Sequence, residues 1–573
     1  MNIFDKIKLI VHILRWRFTW SKRNLDYLPK GADPEKFAPA RAVAALIPDG
    51  ATVFSSGFAG NARCSVFFWA IRESFLKNGH PRDLTWINVG AQGGRGKVPG
   101  TIEELGLPGL MKCYITGHTE TAKAQLRLAE AGQLELHTLP QGVMTHILEA
   151  QGRGEPDVRS ETGVGTFLDP RTGRGSPVTQ SASFQLVQTD GDRLRYAMPA
   201  PDIVLLNAPY ADAEGNVYFY HASTLSENIP AAAAARANGG RVFVTVSAII
   251  PKDEKRISLP AAAVDRIVVH PYNEQTASVR QKRYWPMFTP GSTVDFEKAA
   301  RDLRFINAFL KITPVRGIAD DALARLAAQL FVEEVPKGSM LNIGVGYPEE
   351  VARHLVLQGL GRDLLFTTEA GSYGGLPVSG IFFGAALAPE KLISSAEMFR
   401  LYEHGLGAAV LGFLQVDGKG NVNASKRGSR LSDYVGPGGL PDIAGGARTV
   451  IFVGSWQANA RFDIADNALR IVRPGKPKFV AQVDEVTFSA QEALRQRKKV
   501  FYVTHVGVFR LVPEGLMLVK TAPGVDVRRD ILDAVPARIP LPPDGKVAVA
   551  DSSVMNGKGF RLAWPAQVQA PVI

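Results

Sequence analysis

Two stretches of this chain nearly copy each other, and that repeat limits the folds open to it. Ala211-Asp212-Ala213-Glu214-Gly215-Asn216-Val217 and Val416-Asp417-Gly418-Lys419-Gly420-Asn421-Val422 carry Asp, Gly and Asn-Val at the same spacing. Each follows an apolar, strand-like stretch, 203–206 in one case and 408–414 in the other. Each precedes a glycine pair (Gly239-Gly240, Gly445-Gly446) and a further apolar run, 241–250 and 449–454. Upstream, the stretch from Gly50 to Gly60 parallels that from Gly338 to Tyr347. Both read as strand, glycine turn and helix, with helices predicted over 62–78 and 349–358. Strands alternating with helices favour parallel pairing. The chain is therefore expected to form two related α/β domains with largely parallel sheets.

A length of 573 residues agrees, because one core does not grow that large. Breakers at Tyr284-Trp285-Pro286 and Thr289-Pro290-Gly291, followed by a helical patch over 294–310, mark the junction. The expected layout is an extension over 1–37, a first domain over 38–285, a linker with a helix over 286–315, and a second domain over 316–573. The last part is Pro-rich (Pro536, Pro540, Pro542, Pro543) and is expected to wrap the second domain.

The extension has its own pattern. Phe4, Ile7, Val11, Leu14 and Phe18 follow helical spacing. Lys6, Lys8, Arg15, Arg17, Lys22 and Arg23 oppose only Asp5, so residues 1–23 carry +5 of the net charge of +11. The uncharged run from Leu9 to Leu14 is far short of the roughly 20 residues of a membrane span, and no small-residue cleavage site follows it. A basic amphipathic helix with Trp16 and Trp20 fits an anionic membrane surface. The alternative is a helix packed on its own protein or on a partner subunit.

Composition narrows the function. Two cysteines, Cys64 and Cys113, provide neither a disulfide framework nor a four-ligand zinc site, and they read as buried small residues. No histidine pair has metal-ligand spacing backed by a third ligand, so no metal is expected. The positive charge is scattered, without a nucleic-acid module. It suits an enzyme with an anionic, phosphate-rich substrate. A dinucleotide-dependent oxidoreductase is disfavoured, because the nearest glycine cluster, Gly93-Gly94-Arg95-Gly96, runs into Lys97-Val98-Pro99-Gly100 and opens no helix.

The candidate for chemistry is Glu369. It follows the strand-like run Asp363-Leu364-Leu365-Phe366-Thr367 and sits in Thr368-Glu369-Ala370-Gly371-Ser372-Tyr373-Gly374-Gly375-Leu376-Pro377. A lone carboxylate at a strand end, ringed by glycines that admit close backbone approach, suits covalent chemistry on a large substrate.

The order and spacing of several motifs resemble the family I CoA-transferases, in particular the fused single-chain subgroup with acetate and propionate CoA-transferases, and also the 3-oxoacid CoA-transferases. In the first half these are Val89-Gly90-Ala91-Gln92-Gly93, Ile115-Thr116-Gly117-His118, Thr138-Leu139-Pro140-Gln141-Gly142, and the stretch from Gly163 to Pro170. In the second half they are Asn342-Ile343-Gly344-Val345-Gly346, the Glu369 segment, 417–423, and Gly436-Pro437-Gly438-Gly439-Leu440-Pro441-Asp442. The likeness spans about residues 40–530. It implies an alpha-subunit-like first domain and a beta-subunit-like second domain. Three departures stand out. Many relatives have Asn-Gly where this chain has Ala370-Gly371; the segment from Arg171 to Gly175 is unusually basic; and the N-terminal helix is an addition.

The resemblance implies ping-pong transfer through a glutamyl-CoA thioester on Glu369, with coenzyme A as substrate and no permanently bound cofactor. It makes Gln141 a candidate side-chain donor to the oxyanion and Gly439 a candidate backbone donor. The plainer readings are a turn-capping Gln and a loop glycine. Gly163, Gly165, Gly374 and Gly375 are candidates for shaping the acyl and CoA cleft, or are simply turns. His118 reads as structural, because this route needs no general base. The expected partners are acyl-CoA, small short-chain carboxylic acids and further copies of the chain in a dimer or tetramer, with no nucleic acid. The expected place is the cytoplasm, with peripheral contact to the membrane through residues 1–23. The rivals are an acyl-CoA hydrolase on the same fold and a membrane-associated relative without catalysis.

Overall fold

The computed structural model describes residues 2–19, 22–94, 98–180, 182–276, 279–280 and 286–565. Trp20, the Arg95-Gly96-Lys97 part of the glycine cluster, the Tyr284-Trp285 breaker and the tail 566–573 lie outside the described residues.

The first half is built on a seven-stranded sheet. Its strands are β1 (Thr52–Ser55), β2 (Leu84–Asn88), β3 (Met111–Thr116), β4 (Glu135–Thr138), β5 (Ile203–Asn207), β6 (Arg241–Val246) and β7 (Arg266–Val269), ordered β7-β6-β5-β1-β2-β3-β4. Every pairing is parallel, with Val53 of β1 opposite Trp86 on one side and Ile203 on the other. Strands such as Ile203–Asn207 are buried along their whole length, as strands covered by helices on both faces must be.

The second half holds a ten-stranded sheet. Its strands are β8 (Met340–Ile343), β9 (Leu365–Thr367), β10 (Ser372–Tyr373), β11 (Lys391–Leu392), β12 (Ala408–Leu411), β13 (Thr449–Val453), β14 (Lys499–Thr504), β15 (Gly507–Val512), β16 (Gly515–Thr521) and β17 (Ala548–Val549). The order is β11-β10-β9-β8-β12-β13-β14-β15-β16-β17. The five strands from β9 to β14 in that order run parallel, and antiparallel pairs flank them on both sides.

The repeat is structural as well as sequential. The order β7-β6-β5-β1-β2 matches β14-β13-β12-β8-β9 position by position. The twin Asp-Gly-Asn loops make the same hydrogen bonds. Asp212 accepts from the amides of Glu214 and Asn216 and from the Asn216 side chain. Asp417 does the same with Lys419 and Asn421. Asn216 and Asn421 then accept from the amides of Ala261 and Ala490, each at the start of a helical turn. One short motif thus satisfies a turn's backbone donors twice over.

Among the helices are α1 (Ile3–Thr19), α2 (Ser65–Asn78), α3 (Gln141–Gly152), α4 (Asn228–Ala237), α5 (Phe296–Phe309), α6 (Ile318–Glu334), α7 (Tyr347–Leu357), α8 (Ser395–Gly405) and α9 (Leu440–Gly446). The expected helices over 62–78 and 349–358 are α2 and α7, with α5 in the junction. Across the halves, α8 packs on α3. The Pro-rich end does pack on the second half: Val554 and Met555 carbonyls accept from the buried Arg325 of α6, and Trp564 Nε1 donates to Asp363 at 3.1 Å. Among the described residues no helix is long and apolar enough to cross a membrane.

Candidate active site

Glu369 follows β9 by two residues, at the end of a parallel strand of the second sheet. Its loop admits little variation. The Gly371 amide donates to Thr368 O at 2.9 Å and the Thr368 amide donates to Ser372 O at 2.9 Å. Gly371 has φ +106°, and a Cβ there would lie 1.9 Å from the Ile393 carbonyl oxygen, so only glycine fits.

The Glu369 carboxylate is partly buried and held from one side. Asn342 Nδ2, at the end of β8, donates to Glu369 Oε2 at 3.0 Å. Asn342 is itself placed by Tyr402 of α8, whose hydroxyl lies 3.2 Å away and donates to Thr367 Oγ1 at 3.0 Å. Burial raises the Glu369 carboxyl from its ordinary value, while the Asn342 hydrogen bond pulls the other way. A partly desolvated carboxylate with one fixed donor is a better nucleophile than one fully hydrated.

Gln141 and Gly439 meet across the halves. Gln141 opens α3, donates its backbone N–H to Gly438 O at 3.1 Å, and donates Nε2 to Val89 O at 3.2 Å. A Cβ built on Gly439 would lie 3.2 Å from Gln141 Oε1. Gly439 is the N-cap of α9, where the first amides have no partner within the helix. Asp442, in the first turn of α9, accepts from the amides of Gly142 at 2.8 Å and Val143 at 3.1 Å, which ties the start of α3 to α9. Phe399 of α8 connects the two groups: its ring edge lies 3.3 Å from that Gly439 Cβ position and it packs edge-on to Tyr402, 5.7 Å between centroids.

The other candidate glycines are placed differently. Gly374 (φ +74°) and Gly375 (φ +75°) form the turn after β10, where a Cβ would strike the Glu390 side chain and the Leu387 carbonyl. Gly163 (φ +87°) lies against the Tyr196 hydroxyl, and Gly165 (φ +69°) against Ser489 of the second half. Gly163 lines a cleft of about 550 Å³ between the halves, together with Asp442 and Lys498; neither Gly165 nor Glu369 is among its lining residues. The basic segment after Asp169 is engaged within the chain: Arg171 pairs with Asp169 at 2.8 Å and Arg174 with Glu485 at 3.2 Å. Both cysteines are buried.

Sequence reasoning missed Glu227. It is fully buried at the seam, with Oε2 3.3 Å from Ser56 Oγ and 3.4 Å from the Gly57 amide, and Oε1 3.2 Å from Ser395 Oγ. Burial pushes its carboxyl up to about 7, against these hydrogen bonds. Its neighbour Ser226 donates its amide to Ala370 O at 3.1 Å, one residue beyond Glu369. Phe58 was missed too. Its ring fits between Gly90 and Gly384 and lies 5.6 Å from the Phe383 ring, while Asn61 Nδ2 donates to Phe383 O at 2.7 Å. The only sequence signal was an acidic residue just ahead of the Ala-rich helix α4.

The coenzyme A transferase family model matches residues 37–270. Caffeate CoA-transferase of Acetobacterium woodii is 33% identical over 514 residues, 87% of this chain and 93% of that protein. The chain belongs to the family I CoA-transferases. Acetate CoA-transferase YdiF of Escherichia coli (strain K12) is 30% identical over 527 residues, 90% of this CoA-transferase and 94% of YdiF. The solved apoenzyme of acyl-CoA transferase YdiF from Escherichia coli O157:H7 superposes with a TM-score of 0.82 at 27% identity, covering 94% of this chain and 99% of that one. A second structure of YdiF, solved as a thioester complex with CoA, gives a TM-score of 0.81 at 26% identity, covering 93% and 99%. The enzyme therefore transfers CoA between acyl-CoA and carboxylates, and the fused two-domain α/β architecture is that of its relatives.

Proposed function

We propose that this CoA-transferase works by ping-pong chemistry on Glu369, moving CoA from a short-chain acyl-CoA to a small carboxylic acid such as acetate. The Glu369 carboxylate attacks the thioester carbonyl, and the C–S bond breaks to release CoA thiolate and leave an acyl-glutamyl anhydride. The thiolate then attacks the Glu369 carbonyl, and the donor acid leaves as its carboxylate. The acceptor acid repeats both steps in reverse. Each step exchanges one activated acyl group for another, so no external energy source enters. Gln141 Nε2 and the Gly439 amide donate to the oxyanions of the tetrahedral intermediates, which is where such donors have most effect. Coenzyme A is substrate, with no permanently bound cofactor. A cytoplasmic homo-oligomer, with peripheral membrane contact through residues 1–23, completes the reading.

The observation that carries this reading is the Glu369 carboxylate held at 3.0 Å by Asn342, beside a seam where Gln141 and Gly439 converge. The test is intact-protein mass spectrometry after mixing with acyl-CoA alone and treating with borohydride. A loss of about 14 mass units mapped to Glu369 is expected, as a thioester is reduced to an alcohol. Glu369→Gln should stay folded, show no mass change and transfer no CoA. Parent-like turnover by that variant overturns the assignment, and CoA release without any acceptor acid would mark a hydrolase instead.

A further inference from the structure

The N-terminal helix is apolar on two opposite faces, and only one of them is covered. Ile13 and Trp16 are buried against Ala299, Leu303 and Ile306 of α5 and against Phe288. That contact satisfies the alternative of a helix packed on its own protein. It leaves Phe4, Ile7, Val11, Leu14 and Phe18 on the far side, in solvent, with Phe4 79% and Phe18 81% exposed. An apolar stripe of this length on a soluble surface needs a partner to cover it.

The charges around the stripe identify the partner. At 3.6 residues per turn, Lys6 and Arg17 fall along one edge of the exposed stripe and Lys8 and Arg15 along the other. All four are exposed. Asp5, the only acid of the segment, is turned toward α5, where its charge acts on Lys298. Arg23 points away as well, to Glu73 at 3.2 Å and over the Trp69 ring. The exposed face is thus apolar along its middle and cationic along both edges. A second copy of α1 would bring cationic edges against cationic edges with no acid to relieve them, even though the stripe has coiled-coil spacing. A sheet of anionic headgroups fits: the apolar middle enters the acyl boundary, and long basic side chains reach back to phosphates on both sides.

We propose that α1 docks this enzyme in-plane on an anionic lipid surface, with Ile13 and Trp16 as the rigid attachment to the body and the opposite face as the lipid contact. The helix precedes the residues matched by the family model, so docking is a property added to the catalytic body.

The test is flotation of the full-length protein with vesicles of phosphatidylcholine alone and of phosphatidylcholine with an equal part of phosphatidylglycerol. Binding is expected only to the anionic vesicles, and it should fall as salt is raised. Phe4→Ser with Phe18→Ser, and separately Lys6→Glu with Arg15→Glu, should each weaken binding by at least about tenfold. CoA transfer in solution should be unchanged in both double variants, which shows the body is intact. Equal flotation of parent and variants, or equal binding to uncharged vesicles, overturns the proposal. So does a change of sedimentation mass in the Phe4/Phe18 variant, which would assign the stripe to another copy of the chain. Because transfer is read separately, failure here leaves the Glu369 chemistry standing.

Discussion

Replacing Glu227 by Gln tests whether the buried seam carboxylate is held against its charge. The variant keeps size and shape. Its amide oxygen, in the place of Oε2, can accept from the Gly57 amide and the Ser56 hydroxyl, and its NH2, in the place of Oε1, can donate to Ser395 Oγ, a hydroxyl that rotates to suit. Only the charge is removed. The folded protein holds the carboxyl at about 7, against an ordinary value of 4.5. At 1.36 kcal/mol per pH unit this difference corresponds to roughly 3 kcal/mol. The sign follows from proton binding. Between those two values the folded state holds more protons at Glu227 than the unfolded chain does, so stability falls as pH rises through the window. Below about pH 4.5 the group is neutral in both states and contributes no such loss. The Gln variant does not titrate. Its unfolding free energy relative to the parent, from urea titrations, should therefore rise by roughly 2.5 kcal/mol between pH 5 and pH 8. If the two proteins change in parallel over that range, Glu227 is not the buried titrating group inferred here, and its carboxylate has found solvent or a cation.

Asn342→Ala removes the donor on Glu369 and should lift the Glu369 carboxyl further. The acid limb of kcat/KM then moves to higher pH, with a loss of about tenfold to a hundredfold at neutral pH; an unchanged limb refutes the contact. Gly371→Ala combines a left-handed φ of +106° with a Cβ 1.9 Å from the Ile393 carbonyl, a backbone atom that cannot swing away. It should lower stability by more than about 4 kcal/mol or displace Glu369, so a melting curve and activity close to the parent's would contradict the loop geometry.

The two-fold plan was legible before any coordinates, because it is written locally. Apolar runs such as 203–206 and 450–453 demand cover on both faces, and the twin Asp212 and Asp417 loops encode their turn in five adjacent residues. Glu369 stood out for the same reason: a strand end and its glycines are neighbours in the chain. The separation was less kind to the remaining glycines. Gly374 and Gly375 have the positive φ that their type allows, but the atoms around them belong to Glu390 and Leu387, which no local pattern names.

What the amino-acid sequence determined by itself was the alternation of strands and helices, the duplication, the carboxylate and the basic amphipathic helix. Tertiary structure alone decided which groups meet. Asp442 reaches Gly142 from 300 residues away, Asn342 faces Glu369 because β8 and β9 are neighbours, and Glu227 is enclosed by residues of both halves. It also decided which face of α1 is spent on Ile13 and Trp16 and which is left to solvent. The physical reason is that periodicity states which side chains share a face, whereas burial, and with it the cost of a charge, depends on the element that packs against that face.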